Sequence, residues 1–255
     1  MAFALAIFEN CWPLWQQHFS QKIRLRLGAI SRAALSEYAP GEISHYLSTG
    51  ELERWTGFRL EKRRAEWLGG RLAAKWAAAG LLDEPTADWQ SLMIRNEEDG
   101  RPYLATEAHA AAPFISISHS GHLAAALAAN RPCGLDIQQP GAKIYTVKKH
   151  FVAPEEEELL AVSLPQSFSE TDRLSMLWAA KEAVRKMVQI SPLLGMQEIR
   201  LLSGHGGQGT PASPLTLTFA SGREQHPCPA SISVLCFFAD NLAWAMAVSP
   251  TITKE

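Results

Sequence analysis

The sequence predicts an α+β protein built as two similar halves that face each other across a cleft. Three observations carry this expectation. Apolar residues recur at helical spacing from about Leu60 to Ala79, and again through Leu174, Leu177, Val184 and Val188. Short strand-like runs surround both stretches. Finally, Leu123-Ala124-Ala125-Ala126-Leu127-Ala128 is echoed by Leu242-Ala243-Trp244-Ala245-Met246-Ala247, 242 − 123 = 119 positions later. Alanine richness common to both segments would give the same match without any repeat. The halves divide as residues 1–140 and 141–255, and a boundary between halves is a favoured place for a ligand.

Each element has a local reason. In the first half, strands are expected at 3–8 and 22–30, and Gly80 stands where a helix C-terminus would close. Ile115 and Ile117 alternate with Ser116 and Ser118, the period of a strand. Leu123–Ala129 and Gly134–Ile137 read as a strand pair. In the second half, acidic Glu155–Glu158 suits the first turn of a helix. Strands follow near 198–203, 214–220 and 231–238, with loops at Gly204–Gly209 and Ser221–Pro229.

Composition narrows the function. With 47% hydrophobic and 20% charged residues in 255, the chain can bury a core and is not a disordered segment. A formal net charge of -2 argues against a polyanion-binding surface, so no nucleic-acid partner is expected. Cys11, Cys133, Cys228 and Cys236 have neither CxxC spacing nor paired histidines, and read as reduced thiols. Met1–Phe8 lacks a basic start and is followed by Glu9, which favours a first strand over a signal peptide. No apolar run is long enough for a bilayer, so a soluble cytoplasmic protein without membrane contact is expected.

Four patterns could carry chemistry. Lys181 falls within the apolar stripe of the second helix, where an ammonium must either snorkel out or meet an anion. Beside it, Glu182 and Lys186 are four apart on one helix edge, a spacing equally common on solvated faces. In Gly134-Leu135-Asp136-Ile137-Gln138 a strand would present Asp136 and Gln138 on one face, two oxygen ligands suited to magnesium. Ser116-Ile117-Ser118-His119-Ser120-Gly121 would bring hydroxyls, an imidazole and backbone donors to a glycine turn. Basic residues are spread over Arg54, Arg63, Arg64, Arg71, Lys75 and Arg101. Of these, Arg64, Arg71 and Lys75 could share one helix side, and a solvated face is the plain alternative.

In this order and spacing, Gly134–Gln138 and Trp178–Lys186 resemble the GxD[IV]E strand and WxxKExxxK helix of the 4′-phosphopantetheinyl transferases. The likeness is to the longer, single-chain type typified by surfactin synthetase activators. Gly100-Arg101-Pro102 and Ser118-His119 match two further family elements, so the resemblance runs from about Arg54 to Lys186. One departure is that Gln138 stands where the family often has glutamate, which removes a charge.

The resemblance implies the fold of that family and transfer of 4′-phosphopantetheine from coenzyme A to a serine of an apo carrier protein, releasing 3′,5′-ADP. It implies Mg²⁺, or Mn²⁺ in its place, held by Asp136 and Glu182 with Gln138 as a third ligand. Glu182 would be the general base, while Lys186 would stabilise or protonate the leaving phosphate and Lys181 would meet a phosphate oxygen. Arg54, Gly100, Arg101, Ser118 and His119 would hold the 3′-phosphoadenosine end. A monomer would suffice. Three alternatives stay open: a non-catalytic relative that binds coenzyme A or a carrier, a phosphohydrolase using Asp136 and Glu182, and a serine hydrolase on Ser118 or Ser120 with His119. The last lacks a GxSxG elbow.

Overall fold

The computed structural model describes residues 23–83, 88–105, 112–188, 190, 192–206, 213–221 and 230–250. The strand expected at 3–8, Cys11, Cys228 and all of the loop expected at Ser221–Pro229 except Ser221, which is in a strand, lie outside the described residues.

The first half runs β1 (Leu25–Ser31), α1 (Arg32–Ser36), α2 (Pro40–Ile43), α3 (Thr49–Thr56), α4 (Glu61–Leu82), β2 (Met93–Asn96), β3 (Pro102–Ala105), β4 (Phe114–Ser120) and β5 (Leu123–Ala129). The second continues with β6 (Cys133–Gln138), α5 (Lys143–Phe151), α6 (Pro154–Ser163), α7 (Glu170–Val188), β7 (Ile199–Gly206), β8 (Leu215–Ser221), β9 (Ile232–Ala239) and β10 (Leu242–Val248). Each half has a five-stranded antiparallel sheet, ordered β1-β5-β4-β3-β2 in one and β6-β10-β9-β8-β7 in the other. Each strand therefore has a counterpart, β5 with β10 among them, and the long helix α4 corresponds to α7.

Two expectations change here. The strand Gly134–Gln138 was expected in the first half, yet β6 pairs with β10 and so opens the second sheet. The break between halves therefore falls between β5 and β6, well before residue 140. For the same reason β5 and β6 are not a strand pair. They lie in different sheets.

The echo between β5 and β10 has a packing cause. Leu123 and Leu127 of β5, with Leu242, Trp244 and Met246 of β10, belong to one core lying between the sheets. The intervening positions face outward to the helices: Ala124 and Ala126 join the core under α4, and Ala243, Ala245 and Ala247 the core under α7. Alternation of large and small residues thus lets each sheet hold its partner sheet on one face and a close helix on the other. Glycine completes the seat in both halves. A Cβ on Gly28 would meet Ala73 O at 2.2 Å, and one on Gly134 would meet Ala183 O at 1.8 Å. Alanine richness and the repeat are one feature.

Helix α4 continues past Gly80 and ends at Leu82, where Asp83 adopts the left-handed conformation at φ 58°. Gly80 instead lies against the side chain of Arg26 on β1. The strand β7 extends through Gly206, into the stretch expected as loop. Among the described residues no helix is long and apolar enough to cross a membrane. Cys133 and Cys236 are free thiols buried in the core, and burial pushes both pKa values well up.

Candidate active site

Helix α7 delivers two neighbouring positions to opposite fates. Lys181 points into the core and is fully buried. Its ammonium lies 2.6 Å from Glu156 Oε2 and donates to Phe151 O at 2.6 Å. Glu156 is the third residue of α6; it accepts from Ala153 N at 2.9 Å and from Leu201 N at 2.7 Å. Burial pushes the Lys181 ammonium below its usual value, and Glu156 opposes that shift. Neither snorkelling nor a phosphate explains Lys181, because a carboxylate 25 residues earlier already does. The expectation that Lys181 meets coenzyme A is therefore corrected.

The first half contains the same device. Lys75 of α4 is fully buried, 2.7 Å from Glu51 Oε2, and also donates to Tyr46 O and Trp89 O. Glu51 is the third residue of α3 and accepts from Ser48 N and Ile94 N. Lys75 and Arg71 are buried, so α4 has no solvated basic face running through them. Arg71 is partnered by Asn96 and lies over the Trp67 ring at 5.1 Å. Its pKa is lowered to about 10 by burial, so it stays charged at neutral pH.

Lys186, one turn beyond Glu182, reaches the edge of the second sheet. Its ammonium donates to Asp136 Oδ1 at 2.7 Å, Leu135 O at 2.9 Å and Ile117 O at 3.3 Å. Asp136 Oδ1 also accepts from Ser118 Oγ at 2.8 Å. Ser118 belongs to a ladder of serines on β4 that faces β6. Ser116 accepts from Leu135 N at 2.9 Å, Ser118 from Ile137 N at 3.2 Å, and Ser120 from Gln139 N at 2.9 Å. Alternate positions on β4 thus satisfy the alternate outward N–H groups of an edge strand, stitching one half to the other.

This arrangement removes the serine hydrolase. His119 alternates to the opposite face of β4 from Ser118 and Ser120, where its Nδ1 is 4.0 Å from Glu66 Oε1. No dyad forms with either hydroxyl.

A cavity of about 280 Å³ opens beside the Asp136–Lys186 pair. Its lining brings Gly100 and Arg101 of the β2–β3 turn together with Ile117 of β4 and Glu182, Arg185 and Lys186 of α7. Gly100 makes that turn possible with φ 90°, and Asp99 holds Arg101 through its backbone N–H at 3.0 Å and its Nε at 2.5 Å. Those contacts lower the Asp99 pKa, the Arg101 backbone N–H contributing most. Across the cavity, Arg185 Nη1 donates to Glu182 Oε1 at 3.1 Å.

The structure thus gathers Gly100, Arg101, Glu182 and Lys186 around one cavity, with Asp136 and Ser118 joined to it through Lys186. Arg54 is elsewhere: it lines a separate cavity of about 510 Å³ with Arg71 and Arg95. His119 does not line the Glu182 cavity either. Gln138 Nε2 donates to Gln139 O at 2.9 Å, back onto its own strand. Sequence reasoning missed Arg185, although its i,i+3 spacing from Glu182 was available.

A divalent cation suits the donors present. Asp136 Oδ2 and Glu182 Oε2 accept no hydrogen bond among the described residues, while both side chains are largely buried. Neither oxygen is among the fully buried polar atoms that lack a partner, so each stays open to a cation or water. Among the described residues no three His, Cys, Asp or Glu side chains gather into one metal group. Two carboxylates suit magnesium, which commonly takes one or two and fills its shell with water and substrate phosphates.

No family model matches the chain. Among curated relatives, the holo-[acyl-carrier-protein] synthase of Lactococcus lactis subsp. cremoris is 36% identical over 81 residues, which is 31% of this chain and 68% of that protein. The holo-[acyl-carrier-protein] synthase of Anoxybacillus flavithermus is 34% identical over 97 residues, 37% of this chain and 80% of that protein. A crystal structure of a holo-(acyl-carrier-protein) synthase from Bacillus anthracis in complex with CoA (3′,5′-ADP) is 24% identical, with a TM-score of 0.37 over 41% of this chain and 92% of that one. Relatives matched at this identity over more than two thirds of their length place the chain: it belongs to the 4′-phosphopantetheinyl transferase superfamily, as a relative of the holo-[acyl-carrier-protein] synthases.

Proposed function

We propose that the protein transfers 4′-phosphopantetheine from coenzyme A to a serine of an apo acyl or peptidyl carrier protein, giving holo-carrier and 3′,5′-ADP. One observation supports this above the others. In a chain related to holo-[acyl-carrier-protein] synthases, a strand carboxylate (Asp136) and a helix carboxylate (Glu182) flank Lys186 beside a cavity that both halves line.

In the reaction, the carrier serine Oγ bonds to the phosphorus that bears pantetheine, and the bond from that phosphorus to the bridging oxygen breaks. The electron pair leaves with 3′,5′-ADP. Glu182, directly or through a water, accepts the serine proton. Asp136 and Glu182, with Gln138 at the strand end, would hold Mg²⁺ or Mn²⁺, which when bound neutralises charge developing on phosphoryl oxygens. Lys186 holds the Asp136 carboxylate in place and keeps a fixed positive charge at the cavity wall. Arg101, fixed by Asp99, is placed to grip the phosphoadenosine end, arginine being suited to bidentate phosphate contact. Ser118 acts on Asp136 and on β6, and reaches coenzyme A only through them.

Because one chain supplies the whole cavity, a monomer of the longer, two-half type is sufficient, working in the cytoplasm with coenzyme A and the carrier as its partners. The test is to incubate the protein with CoA, Mg²⁺ and a panel of apo carriers and weigh each carrier by intact mass spectrometry. Added phosphopantetheine on at least one is expected. No addition on any, with CoA breakdown in their absence, would favour a phosphohydrolase instead.

A further inference from the structure

A cavity of about 650 Å³ lies among helices α1 to α4 of the first half. It shares no lining residue with the Glu182 cavity or with the one around Arg54. Leu35, Tyr38, Ile43, Trp55 and Leu68 give it an apolar and aromatic wall. On α4, Glu61, Arg64, Ala65 and Leu68 recur at spacings of three and four, which turns one helix face to the cavity.

Three cations line this space, and their commitments differ. Lys62 pairs with Glu66 at 3.7 Å, and Arg32 Nη2 donates to Gly121 O at 2.8 Å. Arg64 is half-buried, its guanidinium carbon 5.5 Å from the centre of the Trp55 ring. An aromatic face attracts a cation without consuming its N–H donors. Among the described residues the Arg64 side chain makes no hydrogen bond and no ion pair. Glu61 is the acid on this lining, so positive charge outnumbers negative by three to one.

We propose that this cavity binds an amphipathic carboxylate, with its charged head on Arg64 and its aliphatic or aromatic body against Trp55, Tyr38 and Leu68. A large apolar wall joined to one uncommitted cation selects a ligand of matching composition. The guanidinium is already stacked on Trp55, so a two-pronged contact to a carboxylate forms with little loss of side-chain freedom. A purely polar anion would leave the apolar wall wet, and a cationic amphiphile would meet three like charges. The site is separate from the transferase cavity and does not depend on the activity proposed above.

Calorimetric titration with sodium decanoate, kept below its micellar concentration, tests this. Binding of one decanoate per protein is expected, and decyltrimethylammonium should fail to bind. Arg64→Gln should weaken decanoate by about tenfold or more, the loss of one charge-assisted contact. Arg64→Lys should recover part of that loss. Glu61→Gln removes the opposing carboxylate and should tighten binding. Wild type saturated with CoA should show the same decanoate affinity, because the two cavities share no residue.

Absence of decanoate binding to the wild type overturns the proposal, as does equal affinity for decyltrimethylammonium. Binding that survives Arg64→Gln, or that CoA abolishes, puts decanoate at another site and overturns it too. Thermal unfolding shows whether each variant is folded. Should Arg64→Gln unfold, Thr56→Trp decides instead. It fills the cavity from an exposed position without changing charge, and undiminished binding there overturns the proposal.

Discussion

The Lys186 ammonium lies 2.7 Å from Asp136 Oδ1 and ties together a helix of the second half, the edge strand β6 and, through Ile117 O, strand β4 of the first half. One cation thus sets both the seam between halves and the geometry of the candidate active site. Lys186→Met should leave the Asp136 carboxylate facing only Ser118 and lower stability by about 1–3 kcal/mol. Adding Asp136→Asn should restore much of that stability and none of the transfer activity. Chemical denaturation of the two single variants and the double variant measures the coupling.

Lys181 is held inside the core by Glu156, so its loss should cost stability and leave coenzyme A binding unchanged. Removing one partner of a buried ion pair costs about 3–5 kcal/mol, so Lys181→Met should be strongly destabilised, as should Lys75→Met in the first half. Neither lysine lines the Glu182 cavity. Whatever Lys181→Met protein remains folded at low temperature should bind CoA like wild type. Glu156→Leu added to Lys181→Met should rescue stability only in part, because Ala153 N and Leu201 N lose their acceptor.

The serine ladder predicts a local effect. Ser116→Ala deprives Leu135 N of its partner inside the seam, which costs about 1–3 kcal/mol for an unsatisfied buried donor. Amide hydrogen exchange at Leu135 should accelerate in that variant, while exchange on the far edge of the sheet at β7 and β8 stays slow. Equal acceleration at both places would mean that the ladder has no local role.

Asp99 supplies a pH test. Its contacts with Arg101 depress the carboxyl pKa, so the native state holds its proton more weakly than the unfolded chain does. The stabilising contribution is therefore complete above the unfolded value of about 3.9 and disappears as pH falls through the lower native value. NMR titration of the Asp99 carboxyl carbon should give a midpoint below that of an ordinary aspartate. Arg101→Ala should move the midpoint upward and weaken CoA binding.

Gln138→Glu tests the third ligand position. A carboxylate there would add charge beside Asp136 and should tighten Mg²⁺ or Mn²⁺ binding measured by calorimetry. No change in affinity or in metal preference would make Gln138 a bystander, consistent with its bond back to Gln139 O.

Local periodicity made much of this fold readable. Alanine at every helix-facing position of β5 and β10, with larger residues at most sheet-facing positions, made the repeat visible in one segment of each half. The contact between Asp136 and Lys186 joins two segments that motif order had already linked. Three features depended on long-range contacts that no local pattern specifies. Lys181 finds Glu156 from 25 residues away, and only the packing of α6 on α7 brings them together. The serines of Ser116–Ser120 resembled a ligand turn because hydroxyls serve phosphates and strand edges equally well. Arg54 shares a basic character with Arg101 but sits on α3, beside Arg71 and away from the Glu182 cavity.

The most direct test follows both products of one reaction, counting 3′,5′-ADP released against carrier serines modified. The account predicts one of each per turnover, no release when the apo carrier is omitted, and loss of both products in Asp136→Ala and Glu182→Ala proteins that remain folded. Release of 3′,5′-ADP without a carrier, or undiminished modification by Glu182→Ala, would contradict it.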